Sequence, residues 1–195
     1  MEDTMKLEYK KVSLDYLMEY SLVPIHIAVT DYYHIEDTKK LSLDEMELRP
    51  VEKPYLKYFD TREDNPFALS DKFDLANWQL IACFDGDRII GGALLAMDTQ
   101  GVNMLKGRSD LAVIWDLRVD SNYRGMGIGK RLVDICAAEA KMKKCTEINI
   151  ECQNTNVRGC NFYNKVAKLY SIKFDAYDDE YAAEAQLIWH IDLNS

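Results

Sequence analysis

The chain has little proline and little glycine, 4 and 9 residues among 195. That scarcity argues against a collagen-like or largely disordered polypeptide. No apolar run reaches the ~18 residues of a membrane span. The N-terminus, MEDTMKLEYKK, lacks the apolar stretch of a secretory signal, so the protein is read as cytoplasmic. There is no CxxC, and the five cysteines (Cys83, Cys136, Cys145, Cys152 and Cys160) are odd in number. Neither a disulfide framework nor a zinc site is therefore expected. The three histidines, His26, His34 and His190, are scattered, and no metal is expected to bind. Positive charge is in deficit: 24 Lys and Arg against 33 Asp and Glu leave a net charge of −9. Such a balance disfavours the basic face of a nucleic-acid binder and is compatible with a cationic substrate.

What is present is ordinary globular composition, 48% hydrophobic and 29% charged. At about 100–200 residues per domain, the length predicts one domain over residues 1–195. Residues 1–75 read as a variable half and 76–195 as a core. Met5–Val12 alternates enough for a strand, and Ser13 can cap a short helix through Leu14, Leu17 and Met18. Ile25–Ile35 and Leu41–Val51 read as extended stretches joined by the loop 36–40. PYLKYFDTRED follows, then a short helix over Asn65–Phe73. Trp78–Phe84 and Arg88–Met97 are apolar strands joined at Asp85-Gly86-Asp87, where Gly accepts the positive φ of a tight turn. Leu111–Val119 is a nearly continuous apolar strand, the pattern of one covered on both faces. A helix is predicted over about Gly127–Lys143, a strand over Glu147–Gln153, and a helix over Asn156–Lys168. Ile172–Tyr177 and Gln186–Leu193 complete the strands. This order describes a mixed α/β sheet.

The chemistry centres on the run from Ile114 to Val133, IWDLRVDSNYRGMGIGKRLV. A strand enters Arg124-Gly125-Met126-Gly127-Ile128-Gly129, and a helix begins there. Glycines allow close backbone approach, and the first N–H groups of a helix have no carbonyl partners. The helix dipole adds partial positive charge. Arg124, Lys130 and Arg131 can supplement it. The expected ligand is a phosphate or pyrophosphate. The P-loop pattern GxxxxGK(S/T) fails because Arg131 follows Gly129-Lys130 and no suitable glycine lies upstream. The dinucleotide fingerprint GxGxxG fails because Lys130 or Leu132 falls on its last glycine.

What remains, Arg124-x-x-Gly127-x-Gly129, resembles the acetyl-coenzyme A signature of the GNAT family of N-acetyltransferases. Asp116-Leu117-Arg118-Val119 matches the family's D-L-x-V pattern just upstream. Asn156-V-R-G-C-N-Phe162-Tyr163 resembles its N-x-x-A-x-x-F-Y, with Gly159 in place of the usual Ala. The resemblance covers Trp78 to Leu193. It implies a GNAT fold, a mixed central sheet of about six or seven strands flanked by helices and splayed between two parallel central strands. It also implies acetyl-CoA as cosubstrate, an amine acceptor, and a homodimer as a common assembly. PYLKYF (Pro54–Phe59), Ile150-Glu151-Cys152-Gln153 and Cys160-x-Phe162-Tyr163 further resemble streptothricin acetyltransferases. Aminoglycosides, polyamines and a peptide N-terminus remain open as acceptors. A noncatalytic CoA-binding regulatory module is the alternative from another class. The family commonly has Gly four residues after the tyrosine, whereas Ala167 stands there, so the helix is expected to run on.

The resemblance also implies roles. The pantetheine arm hydrogen-bonds strand backbone near Leu117 and Val119, and an amide N–H near Leu117 stabilises the oxyanion. The cradle for the phosphates is Arg124, Gly125, Met126, Gly127, Ile128, Gly129 and Lys130. Tyr163 stabilises or protonates the departing thiolate. Asp116 and Glu151 are the candidate general bases, and a pair between Asp116 and Arg118 is the structural alternative. Asn156 is either a cofactor contact or a helix cap. Cys152 reads as a buried strand thiol, since no histidine pattern activates it. Asp175, Asp178, Asp179, Glu180 and Glu184 form an acidic cluster expected to attract a polyamine-like substrate.

Overall fold

A computed structural model describes residues 6–60, 65–177 and 183–194. In chain order the elements are β1 (Leu7–Val12), α1 (Leu17–Ser21), β2 (His26–His34), β3 (Glu47–Tyr58), β4 (Gln79–Asp85), β5 (Arg88–Met97), β6 (Leu111–Val119), α2 (Ile128–Met142), β7 (Glu147–Gln153), α3 (Val157–Val166), β8 (Lys168–Lys173) and β9 (Gln186–Asp192). Seven strands follow the order β1-β4-β5-β6-β7-β9-β8, with β6 and β7 parallel, while β2 and β3 form a separate antiparallel ribbon. This is a mixed α/β architecture. The chain divides into two compact units, one of residues 1–25, 59–148 and 193–195, the other of 26–58 and 149–192. The first two residues of β7 belong to the first unit and the rest to the second.

In the first unit β1, β4, β5 and β6 pair antiparallel. Leu80, Ala82, Leu94, Ala96, Leu111 and Val113 are buried in one cluster with Leu17 and Tyr20 of α1. The opposite face carries Ile81, Cys83, Ala93 and Leu95, all fully buried. α2 packs against β4, β5 and β6 and buries Leu132, Val133 and Cys136. Cover on both faces explains why β5 and the first part of β6 are apolar without alternation. The Asp85-Gly86-Asp87 turn forms as its sequence predicts, with Gly86 at φ 59°.

One irregularity matters for the site. Leu94 pairs with Asp116 but Leu95 pairs with Ile114, so Trp115 is an extra residue on β6. This β-bulge shifts the facing of the strand and turns Asp116 toward the α1 side. There Tyr20 lies across Gly92, its hydroxyl donating to Asp116 and standing 3.2 Å from Gly92 O. A Cβ on Gly92 would stand 2.7 Å from both Ile81 O and Tyr20 Cε2. Glycine in this strand therefore makes room for an aromatic ring.

The structure departs from the sequence reading in four places. Leu43–Glu45 is a 3-10 turn capped by Ser42, and the strand that follows runs on to Tyr58. PYLKY is thus part of β3, held by pairing with His26–Val29. Asn65 caps a 3-10 rather than an α-helical segment over Pro66–Asp71. α3 stops at Val166 without a glycine, because Ala167 is fully extended at φ −147° and ψ 173°. β8 therefore begins at once, at Lys168, and Phe174–Tyr177 is not strand.

Candidate active site

The candidate anion cradle is the turn that runs from the end of β6 into α2. Gly125 and Gly127 have φ of 82° and 81°, a left-handed conformation that only glycine adopts without strain. Among the described residues nothing lies within 4 Å of where a Cβ would stand on either. Gly127 is the N-cap of α2 and no side chain among the described residues caps the helix, so its first N–H groups remain available. Open space and uncapped donors fit a pyrophosphate. Two tethers fix the loop to the β4–β5 hairpin. Asp120, 3% exposed, accepts from Asn122 N–H and from Arg88 at 2.5 Å, and Tyr123 donates to Asp85 at 2.7 Å.

The flanking cations do other work. Arg124 Nε donates to Val119 O at 2.9 Å, tying the loop to its own strand. Lys130 pairs with Asp134 one turn along the exposed face of α2. Both side chains thus have a protein partner, and the loop itself presents backbone N–H groups. Met126 and Gly129 complete it, Met126 exposed, while Ile128 is buried and anchors the first turn.

Backbone alternation decides which groups of β6 are available. Asp120 N–H bonds Ile90 O, and residues opposite one another in an antiparallel pair alternate between bonded and non-bonded. Asp116 and Arg118 therefore exchange hydrogen bonds with β5. Leu117 and Val119 turn their N–H and C=O toward the other edge. Of these groups, Val119 C=O is taken by Arg124.

Asp116 is engaged on both oxygens. Arg118 Nε and Nη2 reach it at 2.8 and 2.6 Å, and Tyr20 donates to it as well. Arg118 is 2% exposed. It also donates to Val23 O at 3.0 Å and Asp60 at 2.9 Å and lies over the Tyr20 ring. Burial opposes the charge of Arg118, but the Asp116 carboxylate outweighs it and raises its pKa. The Asp116–Arg118 pair expected as the structural alternative is present.

The second unit holds the remaining candidates. Tyr163 on α3 is 9% exposed and packs edge-on to Phe162 and beside Trp189 of β9. Asn156 caps α3, its Oδ1 accepting from Gly159 N–H at 2.9 Å. A Cβ on Gly159 would stand 2.6 Å from Asn156 Nδ2, so an alanine here would require the Asn156 side chain to shift. The cap role is thus seen directly. Glu151 on β7 accepts from Tyr177 Oη at 2.7 Å and from Gln186 Nε2 at 2.8 Å. Among the described residues no cation pairs with it. Cys152 is buried beside Cys160, with Sγ atoms 3.6 Å apart, and burial raises its thiol pKa.

Sequence reasoning missed Tyr177, Gln186, Gln153 and the Asn149–His190 contact at 3.2 Å. A signal for part of this was available. In EINIECQ, Glu147, Asn149, Glu151 and Gln153 fall on one face of β7 and Ile148, Ile150 and Cys152 on the other. Tyr177 had no such signal, being placed by the loop after β8. Of the acidic cluster, Asp175 is exposed, and Asp178, Asp179 and Glu180 lie outside the described residues. Glu184 is not part of an open negative field. It is 5% exposed and takes Lys57, Tyr55 and Thr155 as partners. Lys57, from the PYLKYF segment, is itself buried by this ion pair.

A sequence profile described as the Acetyltransferase (GNAT) family matches residues 40–167. No curated protein sequence matches the chain. Among solved structures, nourseothricin acetyltransferase is 16% identical with a TM-score of 0.71, over 96% of this chain and 98% of that one. A protein of Bacillus anthracis str. Ames assigned as a streptothricin acetyltransferase, in complex with acetyl coenzyme A, is 24% identical with a TM-score of 0.73, over 96% and 99%. The ribosomal-protein-S18-alanine N-acetyltransferase of Escherichia coli is 10% identical with a TM-score of 0.61, over 96% and 94%. These likenesses show a shared fold. The profile spans more than half of the chain, over the strand, cradle and helix just described, and the chain therefore belongs to the GNAT family, as an N-acetyltransferase whose acetyl donor is acetyl-CoA.

Proposed function

We propose that the acceptor is a primary amine on a small polycationic molecule, with streptothricin the leading candidate. The observation that carries this reading is Glu151, a half-buried carboxylate held by two neutral donors and paired with no cation among the described residues. An acceptor ammonium would supply the missing charge. The two structural neighbours described as nourseothricin and streptothricin acetyltransferases support the same class.

In this reading acetyl-CoA, when bound, supplies a thioester whose carbonyl carbon accepts the amine. The N–H groups of Ile128, Gly129 and Lys130 bind its pyrophosphate, with Gly125 and Gly127 allowing the approach. The backbone of Leu117 and the N–H of Val119 orient the pantetheine arm. The Leu117 N–H faces the charge that grows on the carbonyl oxygen. Glu151 binds the ammonium and takes its proton, directly or through water. Tyr163 gives a proton to the departing sulfur. Glu151 serves this purpose better than Asp116, whose oxygens are already committed to a guanidinium and a phenol.

Thiol release from acetyl-CoA, measured with streptothricin, aminoglycosides, polyamines and a peptide N-terminus, tests the reading. The expected result is the highest kcat/KM with a polycationic small molecule. A preference for the peptide, or no turnover with any cationic amine, overturns the acceptor class. The cradle carries a separate expectation. Gly127→Asp is expected to weaken acetyl-CoA binding at least about tenfold, because a β-carbon and a negative charge enter an anion site at a φ that disfavours side chains. Calorimetric titration of the folded variant checks it, and unchanged affinity would remove the cradle from this loop.

A further inference from the structure

The carboxylate of Glu151 is fixed from outside its own strand. Tyr177, after β8, bonds Oε1 at 2.7 Å, and Gln186, opening β9, bonds Oε2 at 2.8 Å. Gln153 lies two residues along on the same face of β7. Each carboxylate oxygen thus has one neutral donor. An ionised carboxylate can accept about four hydrogen bonds, so each oxygen keeps capacity for another partner. Asp116 presents the opposite arrangement, since a buried guanidinium already neutralises it.

We infer that Tyr177 and Gln186 are positioning residues, which hold Glu151 in one rotamer so that its charge meets the acceptor's ammonium in a fixed place. This rests on the acceptor reading of Glu151 given above. Two neutral donors fix direction without neutralising charge, and such preorganisation is worth most where a charged partner arrives already oriented. Among the described residues no cation pairs with the carboxylate. Burial first, then the charge of Glu151 itself, raises the Tyr177 pKa, so the phenol stays a donor. Burial likewise keeps Cys152, the next residue on β7, a neutral thiol. Lys173 on β8 lies opposite Gln186 in register, and it is exposed.

A double-mutant cycle tests the inference, using the acceptor that gives the highest kcat/KM in the amine panel. Tyr177→Phe keeps the ring and removes only the donor. It is expected to lower kcat/KM for the amine about tenfold, mainly through KM, while acetyl-CoA affinity stays within about twofold. Gln186→Leu is expected to act in the same direction. In a Glu151→Gln background, Tyr177→Phe is expected to change kcat/KM by less than about twofold, because its route to the acceptor is gone. Unchanged amine kinetics in Tyr177→Phe would overturn the inference while leaving the role of Glu151 intact. An equal loss in both backgrounds would make Tyr177 a packing residue and overturn it too. If Glu151→Gln alone keeps the parent's amine kinetics, it is the acceptor reading that fails, and the positioning role falls with it.

Discussion

Tyr163→Phe is expected to lower kcat by about 10²- to 10⁴-fold with acetyl-CoA affinity almost unchanged, the range seen when one positioned acid or base is removed. The substitution is conservative where packing is concerned. Tyr163 is 9% exposed, and its ring lies 5.2 Å from Phe162 and 6.2 Å from Trp189, centroid to centroid. Phenylalanine keeps those contacts and removes one oxygen. A loss therefore reports the hydroxyl rather than the fold. A group that acts on a departing thiolate changes the chemical step and leaves ground-state binding alone. The measurement is kcat at saturating acetyl-CoA and amine, at a pH where chemistry limits turnover, beside a calorimetric Kd. A loss under about twofold would return Tyr163 to the hydrophobic packing of the second unit.

Several parts of this molecule were legible because one local rule decided them. Gly86 ends β4 where Asp-Gly permits a tight turn, and Gly127 opens α2 where a left-handed residue and free N–H groups are needed. The continuous apolar run of β6 announced a strand covered on both faces. Elements set by tertiary partners were less legible. Leu41–Glu45 has strand-like residues, but Ser42 turns it into a 3-10 segment, and the pairing of β3 with β2 carries the strand through Pro54 to Tyr58. Lys57 gave no sign of being buried, because its partner Glu184 is 127 residues away. The site divides along the same line. Arg124 and Lys130 flank the cradle in the sequence, and nothing in their spacing tells that Arg124 Nε reaches a strand carbonyl and Lys130 a helical aspartate. Glu151 could be picked out as a strand carboxylate. The donors that hold it come from β9 and from a loop, and no spacing in the sequence connects them.

The largest expected effect on stability comes from Arg118. Arg118→Leu leaves the Asp116 carboxylate, whose side chain is 12% exposed, without its guanidinium, and breaking one partner out of a buried pair costs about 3–5 kcal/mol. At about 2–4 °C per kcal/mol for a chain of this size, Tm is expected to fall by roughly 6–20 °C. The cost exceeds that of an ordinary surface pair because Arg118 serves several groups at once. It binds Asp116 through two nitrogens, Asp60 and Val23 O through a third, and it lies 5.1 Å from the Tyr20 ring centroid. Arg88–Asp120 is a useful contrast. The Arg88 side chain is 66% exposed, so Arg88→Leu is expected to cost less, water replacing part of what is lost. Adding Asp116→Asn to Arg118→Leu is expected to recover part of the stability, since the stranded charge is the main penalty. That double variant also tests the alternative role of Asp116. If the carboxylate is structural, as its pairing with Arg118 and Tyr20 argues, the folded double variant keeps amine acetylation within about tenfold of the parent. A loss comparable to that of Tyr163→Phe, in a protein shown to be folded by its unfolding transition and its acetyl-CoA affinity, would instead make Asp116 the group that takes the proton.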